Sequence, residues 1–328
     1  MNLETTESDL NELREAYQSL RSSLNRSFFS QGEVTELLLL CMFAGGHALL
    51  EGAPGLGKTT LVSSLARSLA LDFRRIQFTP DLMPPDILGT RILEEDESGS
   101  RCFRFEQGPV FCNVLLADEI NRGTPRTQSA LLEAMQEQQV TVYGETRSLA
   151  EPFIVIATQN PIEMEGTYPL PEAQLDRFLF KLELKMPDKD GLVEILDATT
   201  ATMPEVEESP LDGASVTRIR QLVRGVPASR EIVELVSSLV LATQPSSKFA
   251  PERVRALVRY GSSPRGGQAI LLSAKARALV KGRLHVIPED VEALAAPALR
   301  HRIILGYEGE ASGVDADELI REAFQAVS

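Results

Sequence analysis

The chain has 328 residues, room for two domains at the usual roughly 100 to 200 residues each, and carries 33 Lys plus Arg against 47 Asp plus Glu for a net charge of -14. This acidic balance weighs against broad binding to a nucleic-acid backbone, which requires basic surface. With 43% hydrophobic residues a sizeable core is available, and the odd set Cys41, Cys102 and Cys112, without metal-ligand spacing, argues against a disulfide framework and for small core residues.

The first ten residues, MNLETTESDL, are acidic and lack the basic region and apolar run of a signal peptide. The apolar stretch 37–44 is far shorter than the roughly 20 residues of a membrane span. A cytoplasmic protein without membrane insertion is expected. Leu10, Leu13, Tyr17, Leu20 and Leu24 recur at helical spacing and predict an N-terminal amphipathic helix, followed by a second over 33–44.

The period then changes. HALLEG reads as a short buried strand running into a glycine-rich turn, and GKTTLVSSLARSLA as the next helix. The further runs RRIQF, NVLLAD, FIVIAT and FLFKLEL, separated by helical or loop segments, predict a parallel α/β sheet. Two insertions interrupt it. RILEE and RCFRF flank DESGS as one hairpin, and QVTVYGETRSL predicts a second, turning at Tyr143, Gly144 and Glu145. Beyond Pro187 the strand signal disappears. The chain is therefore divided into a large α/β domain (1–187), a connector (188–228) and a helical lid (229–328), with lid helices expected near 229–242, 251–260, 267–281, 288–299 and 315–327.

The stretch GAPGLGKTT matches G-x-x-x-x-G-K-[ST]. Its glycines, Gly52, Gly55 and Gly57, let backbone N–H groups wrap phosphates, with Ala53, Pro54, Leu56 and Thr60 completing the loop, and the following helix aims its N-terminus at the anion. Lys58 would reach the β and γ phosphates of ATP, and Thr59 would offer its hydroxyl to Mg²⁺. NVLLADEINR ends a buried strand in Asp118, which would hold Mg²⁺, and Glu119, which would orient or deprotonate water. Asn160, at the end of FIVIATQNP, should emerge on the same sheet edge near Glu119, where an amide can orient water or sense the γ phosphate; a plain turn-forming Asn before Pro competes with that reading. Arg177, beside Asp176 in LPEAQLDRFLF, is an expensive guanidinium unless an anion meets it.

In this order the segments resemble an AAA+ ATPase, more narrowly the MoxR family: AGGHALLEGAPGLGKT, RIQFTPDLMPPDILGT, LLADEINRGTPRTQSALLEAMQE, ATQNPIEMEGTYPLPEAQLDRFLF and SPRGGQAILLSAKARA carry the likeness. The resemblance implies Walker A at Gly52 to Thr59, Walker B at Asp118 and Glu119, and sensor 1 at Asn160. It also implies an arginine finger at Arg177 and sensor 2 at Arg265. The two insertions fit the clade with a helix 2 insert and a hairpin before sensor 1, which also holds magnesium-chelatase motor subunits. A P-loop domain with a helical lid, assembled as a ring commonly of six, is implied.

In such a ring Arg177 faces the γ phosphate of the next subunit; an internal pair with Asp176 or Glu172 is the alternative. His47, next to the phosphate-loop strand, is placed by the resemblance near adenine, with packing as its other reading. Arg122, Arg126, Arg300 and Arg302 could line the intersubunit cleft or simply be paired at the surface. The implied role is chaperone-like maturation of a partner protein, with a separate von Willebrand factor A domain protein as usual associate. Two other functions stay open: a nucleic-acid motor of the same clade, against which the second hairpin offers only Arg147 opposite Glu145, and an ATP-binding module with little turnover, against which Lys58, Asp118 and Glu119 are all present.

Overall fold

The computed structural model describes residues 7–28, 31–95, 101–160, 166–200 and 209–328. Helices α1 (Glu7–Ser27) and α2 (Gly32–Phe43) precede β1 (Ala48–Glu51), α3 (Lys58–Ser68) and β2 (Phe73–Gln77). The first insertion supplies α4 (Pro84–Leu88) and the hairpin β3 (Gly89–Glu95) with β4 (Arg101–Gln107). Then come β5 (Val114–Asp118), α5 (Pro125–Glu137), the hairpin β6 (Gln139–Val142) with β7 (Glu145–Ser148), β8 (Ile154–Gln159), α6 (Glu172–Leu175) and β9 (Phe180–Glu183). The remainder is α7 (Lys189–Thr200), α8 (Gly213–Gly225), α9 (Arg230–Ala242), α10 (Glu252–Leu257), β10 (Val258–Tyr260), α11 (Pro264–Val280), α12 (Pro288–Leu299), β11 (Ile304–Leu305), α13 (Tyr307–Ser312) and α14 (Ala316–Gln325).

The apolar runs read from the sequence become one five-stranded sheet in the order β2-β5-β8-β1-β9, every pair parallel. Its central strands are apolar on both faces because both are covered. Leu50, Val114, Leu116 and Ile156 face α1, α2, α3 and the lid, whereas Leu49, Leu115, Ala117 and Val155 face α5 and the first insertion. The lid shares the first of these cores, with Ile270, Leu294 and Leu299 among its fully buried residues. Consequently the lid is anchored through α11 to α1 and α2.

Both hairpins form as expected. Tyr143 and Gly144, between Val142 and Glu145, have φ of 54° and 79°, the two-residue type I′ pattern that matches strand twist. Thr90 Oγ1 lies 3.2 Å from the Tyr143 hydroxyl and Arg91 stacks on that ring and pairs with Glu145 at 3.1 Å. Arg147 stacks on Phe105 of the other hairpin. The two insertions are thereby tied into one unit.

Three expectations need correction. The stretch 188–228 holds α7 and α8, the latter resting on α2 and α11. The lid is not wholly helical: Val258–Tyr260, read as a helix end, pairs antiparallel with Ile304–Leu305. Cys102 is exposed on β4, while Cys41 and Cys112 are buried as foreseen. The Leu10 side chain and the turn DESGS lie outside the described residues. Among the described residues no helix is long and apolar enough to cross a membrane.

Candidate active site

Parallel pairing brings four strand ends to one edge. Glu51 stands opposite Gln159 and Gln77 opposite Asp118, so the turns that follow β1, β5 and β8 emerge together, as strand C-termini do in open parallel sheets. The phosphate loop leaves β1 there, and the Gly52 N–H donates to the Gln159 carbonyl at 3.3 Å. A Cβ on Gly52 would lie 2.8 Å from Leu184 Cβ, which no side chain can accommodate without movement. Gly57 caps α3 with φ of 77°, a left-handed conformation that favours glycine. Lys58 begins α3, and its Nζ donates to the Gly52 carbonyl at 2.7 Å.

The two carboxylates at the end of β5 are held apart by different partners. Asp118 is nearly buried, one oxygen accepting from the Thr158 hydroxyl at 2.6 Å and the other from Arg75 Nη2 at 2.6 Å. Glu119 has φ 54° and ψ 50°, and its backbone N–H donates to Thr158 Oγ1 at 2.8 Å. Its side chain accepts from Gln77 Nε2 at 2.7 Å and from Arg122 Nη1 at 3.0 Å. Asn160, 5% exposed, follows β8 on the same edge. Thr158, Gln77 and Arg75 were missed by sequence reasoning; only strand register brings them to these carboxylates.

The residues suit Mg²⁺. A carboxylate and a hydroxyl are hard oxygen donors, and a guanidinium already stands where Asp118 meets positive charge. Among the described residues there is no cluster of three His, Cys, Asp or Glu side chains, consistent with an ion held by one or two protein oxygens together with substrate phosphates.

Comparisons with known proteins identify the family. The profile of the ATPase family associated with various cellular activities (AAA) matches residues 47–180, and that of the AAA lid domain matches 250–323. A crystal structure of a protein assigned as an ATPase from Cytophaga hutchinsonii superposes with a TM-score of 0.90 at 39% identity, covering 97% of this chain and 96% of that one. Chaperone MoxR1 of Mycobacterium tuberculosis is 41% identical over 305 residues, 93% of this chain and 80% of its own. The chain belongs to the MoxR family of AAA+ ATPases. An uncharacterised Bacillus subtilis protein, YeaC, is 43% identical over 93% of this chain and 92% of its own length.

The remaining family positions lie elsewhere in the molecule. His47 stands at the N-terminal end of β1, a strand's length of roughly 13 Å from the phosphate loop at about 3.3 Å per residue. Its Nδ1 accepts the Val155 N–H at 2.9 Å, which leaves Nε2 to donate to the Met135 carbonyl at 3.1 Å. Burial pushes its pKa down to about 4. Of its two readings, these bonds describe the packing one, in which His47 ties β8 to α5.

Arg177 and Arg265 also sit at that opposite edge. They line a cleft of about 270 Å³ with Gly46, His47, Gln136 and Arg302. Arg177 Nη1 donates to the Leu132 carbonyl at 2.8 Å, and among the described residues no carboxylate pairs with it. The alternative internal pair with Asp176 or Glu172 is not formed. Asp176 is taken by Arg302, Nε to Oδ1 at 2.7 Å. Of the other arginines, Arg122 serves its own Glu119, and Arg300 pairs with Asp317 at 2.6 Å.

A second cleft, of about 640 Å³, lies where large domain and lid meet, between Gln31, Glu33, Lys185, Pro187, Arg300 and Asp317. Gln31 Nε2 donates to the Lys185 carbonyl at 2.6 Å across its mouth. Leu184 and Phe28, which flank it in sequence, are the side chains nearest Gly52 and Gly57.

Proposed function

We propose that the protein hydrolyses ATP at sites shared between subunits of a ring, six being the family's usual number, and uses the cycle to remodel a partner protein. The observation that carries this reading is the separation of parts. Lys58, Asp118, Glu119 and Asn160 occupy one edge of the sheet, whereas Arg177 and Arg265 occupy the other. One chain thus holds both halves of a site and closes neither; a second copy, presenting its arginine edge, completes it.

Within the site the triphosphate lies along the backbone N–H groups of Gly55 to Thr59, with Lys58 on the β and γ oxygens. Thr59 and Asp118 would hold Mg²⁺, which when bound neutralises charge on those oxygens. The adenosine end enters the cleft between Gln31 and Lys185, a position supported by the contacts of Leu184 and Phe28 with the phosphate loop. Glu119 takes the proton from water that Asn160 orients, once its bonds to Gln77 and Arg122 are exchanged. The neighbour's Arg177 and Arg265 then stabilise charge on the γ phosphate.

Loss of the γ phosphate removes what both arginines hold, so neighbour and lid are free to rotate, and a client would feel that movement. A chaperone role is supported by the name of the mycobacterial relative; a separate protein with a von Willebrand factor A domain is the partner we favour by family likeness. The nucleic-acid alternative draws little support, because Arg91 and Arg147 of the hairpins are spent on Glu145 and on aromatic rings.

An equimolar mixture of Lys58→Ala and Arg177→Ala proteins tests this reading. Each alone should be nearly inactive, and the mixture should recover ATPase activity well above either. No recovery would mean that the site is not shared.

A further inference from the structure

The segment that carries Arg177 is held from the lid by more bonds than its packing requires. Arg302, whose side chain is 3% exposed, directs all five N–H groups of its guanidinium to acceptors. Nε meets Asp176 Oδ1 at 2.7 Å; Nη2 meets the carbonyls of Asp176 and Phe178 at 3.0 and 2.7 Å. Nη1 meets the carbonyls of Leu179, at 3.2 Å, and of Ala298. His301 Nε2 adds a bond to the Phe178 carbonyl at 3.1 Å. Asp176 accepts in turn from the Ser263 hydroxyl at 2.9 Å.

Ser263 is the residue that sets Arg265. It caps α11, its Oγ accepts the Arg265 N–H at 3.1 Å, and the Arg265 guanidinium stands 4.0 Å from Asp176. Apolar residues of similar volume often replace a buried ion pair without loss of stability, so stability alone does not call for this arrangement. Its geometry does something apolar packing cannot: it ties the backbone on either side of Arg177 and the first turn of the helix that carries Arg265 to the same carboxylate.

We propose that Arg302, Asp176 and Ser263 are positioning residues that mount Arg177 and Arg265 on one lid-anchored unit, so that both reach a neighbour's phosphate as a fixed pair and leave it together when the lid moves. This rests on the shared-site reading above. Misplacing a catalytic group by about 1 Å costs on the order of 10²-fold in rate, which sets the expected effect.

The test uses Asp176→Asn and, because that change leaves a buried guanidinium unpaired, also Ser263→Ala, which keeps the ion pair. Both variants should bind ATP with wild-type affinity, measured with a fluorescent nucleotide. Their kcat should fall, by on the order of 10²-fold for Asp176→Asn and tenfold for Ser263→Ala. Each, mixed with Lys58→Ala subunits that bring intact arginines, should regain activity, as the Arg177→Ala control does. If the control recovers but the Asp176 and Ser263 variants do not, or if they keep wild-type kcat, the positioning unit is wrong and the shared site stands. If the control itself fails to recover, both readings fall.

Discussion

Glu119 is the residue on which the proposed chemistry turns, and its backbone pays for its position. A left-handed conformation costs a residue with a Cβ roughly 1–2 kcal/mol, and here the Thr158 hydroxyl holds it by accepting the Glu119 N–H while donating to Asp118. The same threonine thus fixes the angle between the two carboxylates. Glu119→Gln keeps the shape and the Thr158 bond but removes the proton acceptor. ATP binding should be retained while hydrolysis falls by about 10² to 10⁴, the usual contribution of a general base; phosphate release and nucleotide affinity, measured on the same preparation, check this. Hydrolysis at the wild-type rate would remove Glu119 from the mechanism. The position proposed for Glu119 was legible because a carboxylate pair ends an apolar strand downstream of a phosphate loop. Thr158, Gln77 and Arg75 were not, since their relevance depends on β2, β5 and β8 being neighbours in register.

Among the elements, those whose pattern is set locally were legible and those set by distant partners were not. The central strands announce themselves as unbroken apolar runs because both faces are covered, and the hairpins by their turn residues. Val258–Tyr260 gives no such signal, because its strand exists only through Ile304–Leu305, more than forty residues on. His47 left two readings open for the same reason. Adjacent to the phosphate-loop strand in sequence, it lies at that strand's far end, clamped between β8 and α5. Burial lowers its pKa from 6.5 to about 4, so between those values the unfolded chain binds a proton that the folded one refuses. Its contribution is complete above pH 6.5 and is lost as pH falls toward 4, amounting to about 3 kcal/mol at 1.36 kcal/mol per unit. Urea midpoints for wild type and His47→Gln, followed from pH 7 to pH 4.5, should converge toward the acid end. Parallel curves would show that His47 is not the group titrating.

On the scale of the whole molecule, the proposed division of the site between two edges would tie activity to assembly. An arginine finger contributes on the order of 10³ to 10⁵ in rate in comparable phosphoryl transfers, so a dissociated subunit, which retains Lys58, Asp118 and Glu119 but lacks a neighbour's Arg177, should bind ATP and turn it over hardly at all. The chain also exposes surface that assembly could cover: Leu192, Val193 and Leu196 stand out from α7. ATPase rate per subunit should therefore climb steeply as protein is concentrated through the assembly range and then level off, whereas Arg177→Ala should stay low throughout while sedimenting as the same species. A rate per subunit that is high and independent of concentration down to the monomer would mean that one chain closes its own site, and the position of Arg177 across the sheet from its own phosphate loop would then need a purpose other than catalysis.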